Sequence, residues 1–471
     1  MQHTKINEHI KRDLEQLFKK NPSVLSIAHA LHAAGGRILL VGGAVRDLLL
    51  SLEVKDIDLE IHGIEADQLH RLLEQFGPVD YVGKAFGVFK FFDSTLRNID
   101  IALPRADTAG RKPDVSIDPH MSIDNAFRRR DLTINAMGID LITGELIDPF
   151  GGYDDLRNNL LRAVDVDFFV QDPLRFYRVM QFIGRFTMNP VKELDYICAG
   201  MDLSNVSIER IENEFEKLLL KSYAPSRGIR WLHTIGRLHD LFPEIGAMIG
   251  VAQNPQWHPE GDVFEHTMQA VDAAARFVYV NETDKLKVMY AALCHDLGKV
   301  TTTTVIDGKI TSHGHEDESA RCAKKVLQRI TGKKEIIDAV VKLVACHMQP
   351  LQFINDGAKP AAYKRLARRL APQATMQLLA LLTRADRLGR NPESHEPLNT
   401  PEPDVDAFIK QAEQADVFYH EEKPILQGRD VMDIVAPGPA MGVLLKKAYE
   451  IQIEEDIRDK EELKRRVQKK I

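Results

Sequence analysis

The chain has few cysteines, no long apolar run and no excess of positive charge, and each shortage removes a class of protein. Its four cysteines, Cys198, Cys294, Cys322 and Cys346, lie far apart and form no CxxC pair. No disulfide framework is expected, and a reducing cytoplasm fits best. No apolar stretch reaches the ~18 residues that span a bilayer. The N-terminus, MQHTKINEHIKRDLEQLF, lacks the apolar core of a signal peptide and reads as a polar-faced helix. No membrane partner is expected. A net charge of −7 speaks against wholesale coating of nucleic acid. It leaves room for an RNA enzyme, which needs a basic groove rather than a basic protein.

What is present is ordinary for a soluble globular chain: 44% hydrophobic and 28% charged residues. At 471 residues it is too long for one core, so roughly two to four domains are expected. RILLV (37–41), IDLEIH (57–62), FGVFKFFD (86–93) and NIDIAL (98–103) read as strands. AVRDLLLSL and ADQLHRLLEQF read as helices between them, giving a small mixed α/β domain. Residues 104–123 are rich in Pro, Asp and Gly without a period and read as a mobile loop. From about 124 the pattern is helical, broken at GGYDD, NPQWHPEGD, TTTTVIDGKITSHG and the linker-like LNTPEPD. There is no internal repeat.

The first chemical centre is Lys55-Asp56-Ile57-Asp58. On a strand, residues i and i+2 share a face, and two carboxylates on one face suit Mg²⁺. Such a pair is weak evidence alone, but its context strengthens it. Upstream, Val41-Gly42-Gly43-Ala44-Val45-Arg46-Asp47 puts bare glycine backbone between a strand and a helix, where N–H groups meet a triphosphate and Arg46 adds charge. It is not GxGxxG, so a dinucleotide fold is disfavoured. Asp100 sits in a later strand as a third carboxylate candidate. Arg128-Arg129-Arg130-Asp131 before an apolar helical run resembles a phosphate-binding helix start, although a solubilising basic turn is the ordinary reading of such a run. In Gln171-Asp172-Pro173-Leu174-Arg175-Phe176-Tyr177-Arg178 a helix begins, with Asp172, Arg175 and Arg178 on one ridge. A last basic cluster, Lys464-Arg465-Arg466 with Lys469-Lys470, lies in a mixed-charge tail and reads as a solvated helix face.

In this order, over roughly residues 37–225, these segments resemble class II tRNA nucleotidyltransferases, the CCA-adding enzymes and their bacterial poly(A) polymerase relatives. The resemblance implies that GGAVRD and KDIDLE form the catalytic motif, with Asp56 and Asp58 holding Mg²⁺. It implies nucleotide contacts from Gly42, Gly43, Arg46, Arg130 and Arg178. DPLRFYR matches the family's protein template, and Ser207-Ile208-Glu209-Arg210 through Glu214 its neck helix. The implied reaction is attack of an RNA 3′-hydroxyl on the α-phosphate of CTP or ATP, with tRNA as the acceptor.

The template chemistry follows from hydrogen-bond types. Cytosine and adenine each present an amino donor beside a ring-nitrogen acceptor. Asp172 accepts from the first while Arg175 donates to the second. Uracil and guanine reverse that order and leave both partners unsatisfied. Gln171 stands where the family usually carries Glu, and Gln181 where some members carry Arg. Addition of CCA, of part of it, or of A alone therefore stays open, as does a poly(A) polymerase.

The second centre follows Asn254-Pro255-Gln256-Trp257-His258-Pro259-Glu260. The ordered set His266, His295-Asp296 and Asp386 resembles the HD phosphohydrolase superfamily over about 260–390. The resemblance implies one divalent metal on His266, His295, Asp296 and Asp386, with Lys299 and His315 as further site residues. Such sites position water against a phosphoester. An alternative reading makes the chain chiefly a nucleotide or cyclic-phosphate hydrolase. The expected fold is α+β: an N-terminal helix (1–24), a polymerase-beta-like nucleotidyltransferase head (25–150), an all-α neck (151–230), an all-α HD domain (231–400) and a helical tail (401–471).

Overall fold

The computed structural model describes residues 3–5, 8–82, 87–92, 98–107 and 115–469. The chain divides into two compact units, Met1–Val206 and Ser207–Ile471.

The first unit is built on a mixed sheet. Its strands are β1 (His3–Lys5), β2 (Arg37–Val41), β3 (Ile57–His62), β4 (Val79–Val82), β5 (Val88–Phe92), β6 (Asn98–Ala102), β7 (Gly138–Asp140) and β8 (Glu145–Ile147). They lie in the order β1-β8-β7-β2-β3-β6-β5-β4. Only β3 and β6 pair in parallel; the other pairs are antiparallel. β2 is central because all of its residues after Arg37 are buried. Each such Leu or Ile contributes roughly 1.5–3 kcal/mol.

The expected strands at 37–41 and 57–62 form with those bounds. Those expected over 86–93 and 98–103 appear as β5 and β6, and residues 86 and 93 lie outside the described residues. The glycine pair opens a short helix, α1 (Gly43–Leu49). Three expectations need correction. The N-terminal helix begins only at Glu8, and His3–Lys5 is an edge strand that pairs with β8. The pattern after 124 is not continuously helical: a helix, α2 (Ile123–Arg128), is followed by β7 and β8. Those two strands meet at a turn through Gly144, whose φ of +69 favours glycine. The Asp140 carboxylate accepts from the N–H groups of Ile142 and Thr143 there. At three residues each, the strands are too short to show a period. Lastly, part of the expected loop is a hairpin, Arg105–Asp107 with Val115–Ile117, while its centre, residues 108–114, lies outside the described residues.

Helix α3 (Leu174–Phe186) follows Pro173, as its sequence leads one to expect.

The second unit is helical apart from a hairpin, Thr304–Ile306 with Lys309–Thr311. It opens with the helix Ile208–Lys221. Its functional helices are α4 (Val263–Ala275), α5 (Glu282–Cys294), α6 (His315–Ile330), α7 (Lys334–Cys346) and α8 (Met376–Leu388). Side chains of Asp262, Asn281 and Thr375 cap α4, α5 and α8 by accepting backbone N–H groups. α4 is buried along almost its whole length, so every polar residue it carries needs a partner. After LNTPEPD the helix Pro403–Gln414 packs into this unit through the fully buried Val405 and Phe408. The last two helices, Pro439–Glu455 and Lys460–Lys469, share a small core that includes Leu444, Ile451, Leu463 and Val467.

Candidate functional site

In the first unit the chain leaves β2 at Val41 and turns at Gly42, which has φ +69. A Cβ at that position would stand 2.7 Å from an Arg130 terminal nitrogen. The backbone angle favours glycine, and any side chain there would also displace the Arg130 guanidinium.

Asp58 and Asp100 stand at the same register of the parallel pair β3–β6. Asp56 is exposed just ahead of β3. Burial raises the Asp58 carboxyl above its ordinary value, and Asp100 and then Asp56 add to the effect, with Arg130 opposing. Asp100 Oδ1 is buried without a hydrogen-bond partner among the described residues. An unsatisfied carboxylate oxygen beside a second, repelled carboxylate is the donor set that a hard divalent cation satisfies. These residues fit the expected Mg²⁺.

A cavity of about 280 Å³ brings together Gly42, Gly43, Arg46, Asp58, Arg130, Asp172, Arg175 and Arg178. Asp56 and Asp100 do not line it. Asp100 lines an adjoining cavity of about 350 Å³ that Asp58 and Arg130 share.

The arginines do different things. Arg46 is buried; it donates to Asn135 Oδ1 at 2.7 Å and to Asp47, under the rings of Phe182 and Phe186. The run Arg128-Arg129-Arg130 does not start a helix, because Arg128 ends α2. The buried Asp131 side chain accepts from Leu132 N–H and Asn135 and pairs with Arg178 at 2.9 Å, which turns the chain into a short 3₁₀ segment. Arg130 turns back to Glu60 at 3.2 Å. Burial pushes the Glu60 carboxyl up, but His62 and Arg130 outweigh it and hold it below the usual range.

The ridge on α3 starts with Asp172, whose Oδ1 accepts from Leu174 N–H at 3.2 Å. Arg175 donates from one terminal nitrogen to Phe168 O and from the other to Arg129 O, each at 2.6 Å. Gln181 is buried, whereas Gln171 is exposed, and neither lines the cavity.

In the second unit, five helices deliver one His/Asp cluster. α4 carries His266, the end of α5 His295 and Asp296, the start of α6 His315, the end of α7 His347, and α8 Asp386. All six are buried. His266 Nε2 lies 3.2 Å from His295 Nε2, 3.2 Å from Asp386 and 3.6 Å from Asp296. His295, Asp386 and His266 form one group able to hold an ion; Asp296, His315 and His347 form another. His266, His295, Asp296, Asp386 and His315 thus meet as expected, and Lys299 reaches Asp296 Oδ2 at 2.7 Å.

Three partners here were not singled out from the sequence. His347 closes on His315 at 3.1 Å. Glu260 accepts from Nδ1 of His266 at 2.7 Å and of His258 at 2.9 Å. Arg390 donates to Asp386 at 3.0 Å. A signal for His347 exists, since Cys346-His347 ends α7 as Cys294-His295 ends α5.

The cluster is strongly polarised. Burial opposes charge on Asp296, but His295 and Lys299 hold it well below the usual carboxylate range. Asp386 is likewise buried and held low by Arg390 and His266. Burial pushes His266 down, yet Asp386 and Glu260 raise it to about 9, so a proton occupies the ring. Burial and His315 together push His347 down to about 3. A divalent ion would take that proton's place. The cluster opens on a cavity of about 710 Å³, which Lys299, Arg387 and Arg390 also line.

Comparison with known proteins gives three matched regions. Residues 38–162 match the poly A polymerase head domain, 197–249 the probable RNA and SrmB-binding site of polymerase A, and 263–391 the HD domain. A relative from Pasteurella multocida (strain Pm70), named a multifunctional CCA protein, is 38% identical over 303 residues, 62% of this chain and 69% of the relative. Among solved structures, the Bacillus stearothermophilus CCA-adding enzyme in complex with CTP matches with TM-score 0.66 and 18% identity, over 96% of this chain and 98% of that one. The Thermotoga maritima CCA-adding enzyme complexed with tRNA matches with TM-score 0.60 and 20% identity over the full length of both chains. These two likenesses concern the fold. No helix among the described residues is long and apolar enough to cross a membrane.

Proposed function

Because the chain belongs to the CCA-adding enzyme and poly(A) polymerase head family and carries an HD domain, we propose that it adds C and A to the 3′ end of tRNA from CTP and ATP. We propose in addition that its HD domain hydrolyses phosphoesters at a separate metal centre. The observation that carries the first reading is the shared register of Asp58 and Asp100, with Asp100 Oδ1 unpartnered.

Asp56, Asp58 and Asp100 would hold Mg²⁺, which when bound activates the RNA 3′-hydroxyl and stabilises the departing pyrophosphate. The remaining work falls to the protein's own groups. Gly42 and Gly43 let the triphosphate approach backbone N–H groups. Arg130, fixed by Glu60, presents positive charge beside them. Asp172 accepts from the amino group that cytosine and adenine share. Arg175 donates to the neighbouring ring nitrogen, its plane fixed by two backbone carbonyls. A guanidinium held before substrate arrives loses little freedom on binding, which favours discrimination.

In the HD domain His266, His295, Asp296 and Asp386 would hold a divalent ion, whose chemistry is to position and activate water. Glu260 orients His266, while Lys299 and Arg390 place positive charge at the cavity for a phosphate.

Separate variants test the two assignments. Asp56→Ala is expected to abolish nucleotide addition and spare phosphoester hydrolysis; His295→Ala is expected to do the reverse. If Asp56→Ala left the principal activity untouched, the chain would instead be chiefly a hydrolase.

A further inference from the structure

We propose that His62 is a positioning residue of the transferase site: by holding Glu60 it keeps the Arg130 guanidinium open at the glycine turn for the triphosphate of CTP or ATP. This rests on the reading in which Gly42, Gly43 and Arg130 meet the triphosphate. It adds to that reading a residue that lines neither of the two adjoining cavities.

The alternation of IDLEIH sets the geometry. Ile57, Leu59 and Ile61 are buried on one face of β3, which leaves Asp58, Glu60 and His62 in a row on the other. Glu60 and His62 are themselves buried, where a polar group needs a partner. Glu60 Oε2 accepts from Arg130 Nη2 at 3.2 Å, and Glu60 Oε1 accepts from His62 Nε2 at 3.0 Å. One oxygen is committed to the arginine and the other to the histidine.

The histidine is itself anchored. Its Nδ1 lies 3.2 Å from Met121 O, and the adjoining Gly63 N–H donates to Pro119 O at 2.7 Å. Met121 stands just ahead of α2, and Arg130 follows the far end of that helix. β3, the segment 119–121, α2 and Arg130 therefore form a closed circuit, with His62 and Glu60 as its cross-link. The other contacts of Arg130 are weaker: Nη1 lies 3.4 Å from Asn135 O, and the guanidinium lies 5.1 Å from the centre of the Phe127 ring.

The guanidinium keeps one donor in reserve. Arg130 Nε is buried without a hydrogen-bond partner among the described residues, and Arg130 lines both cavities. An unmade bond on a buried charged group is costly, and a phosphate oxygen is an acceptor that satisfies it. Nε and Nη2 share the edge of the guanidinium that a freely turning carboxylate grips with both oxygens. By holding Oε1, His62 limits Glu60 to a single contact and leaves Nε to the nucleotide.

The test measures KM and kcat for CTP and ATP with the full chain and a tRNA lacking its CCA end, with inorganic tripolyphosphate as a competing probe of the triphosphate contact. His62→Leu should raise KM for both nucleotides, and the inhibition constant of tripolyphosphate, by roughly tenfold, the worth of one hydrogen bond to a charged group. The preference for CTP and ATP over UTP and GTP should not change, and kcat should fall less than KM rises. His62→Gln, which keeps an N–H for Glu60 Oε1, should recover most of the loss. Adding Glu60→Gln to His62→Leu should also relieve it, because an amide cannot grip the guanidinium with two oxygens. His62→Ala takes the place of His62→Leu should the leucine variant fail to fold. A loss that Glu60→Gln deepens, or that His62→Gln shares in full, would show that His62 only supports the strand and would overturn the proposal. Inhibition unchanged in His62→Leu but weakened in Arg130→Ala would overturn it and leave the triphosphate reading standing. Inhibition unchanged in both would overturn that reading as well.

Discussion

Asp58 and Asp100 occupy matching positions on two adjacent parallel strands, and the buried Oδ1 of Asp100 has no hydrogen-bond partner among the described residues. Parallel pairing places both side chains on one face, so their repulsion is built into the sheet rather than into a mobile loop. Asp58→Asn and Asp100→Asn should each lower nucleotide addition by roughly 10³-fold, the equivalent of several kcal/mol of charge stabilisation. Each should also raise the midpoint of thermal unfolding without metal, since a repelled carboxylate is removed. Primer-extension rates and melting in chelator check the two effects. Retained addition in either variant would remove that residue from the chemistry.

Base choice should depend on the α3 ridge. Asp172→Ala removes the acceptor for the amino group and should lower the preference for CTP and ATP over UTP and GTP by roughly 10- to 100-fold, the worth of one charged hydrogen bond. Competing nucleotide incorporation into one RNA measures it. A uniform fall with all four nucleotides would show that Asp172 only supports the helix.

Gly298 tests how tightly the HD cluster is assembled. A Cβ there would stand 2.2 Å from His315 O and 2.6 Å from Ser319 N, both backbone atoms at the start of α6. Gly298→Ala must therefore push α6 away and carry His315 with it, at about 1–3 kcal/mol. Phosphoester hydrolysis should fall at least about tenfold by the same conversion, with nucleotide addition retained. Unchanged hydrolysis would show that the placement of His315 does not matter.

Asp272 supplies a separate pH dependence. It is buried on α4 and accepts from Ser226 N–H and Oγ–H, yet burial outweighs these bonds and raises its carboxyl to about 6. Its contribution to stability is complete below about pH 4 and is lost as pH rises through about 6. Relative to Asp272→Asn, the wild-type protein should lose up to about 3 kcal/mol between pH 4 and pH 7. Denaturant titrations at the two pH values measure this. A constant difference would mean that Asp272 stays ionised throughout.

Much of this was legible in the sequence because the catalytic residues sit on strong local patterns. RILLV is a near-continuous apolar run and IDLEIH alternates apolar with polar residues, and both form strands with the bounds that these patterns predict. The H…HD…D order survives as a buried cluster because α4, α5 and α8 are themselves strongly apolar. What was missed depends on tertiary packing. β7 and β8 are three residues each, too short for a period. Arg128-Arg129-Arg130 reads as a helix start only until the caps made by Asp131 are known. His347 and Glu260 reach the cluster from segments whose local pattern names no chemistry, although the repeated Cys-His at two helix ends was visible.

The most direct test incubates the full chain with a tRNA lacking its CCA end, CTP, ATP and Mg²⁺, and sequences the 3′ ends produced. The expected product carries C, C and A in that order, then stops, and Asp58→Asn yields none. No extension of that tRNA, or tailing of an unrelated RNA with A alone, would contradict the reading of Asp58, Asp100 and the Asp172–Arg175 ridge as a CCA-adding site.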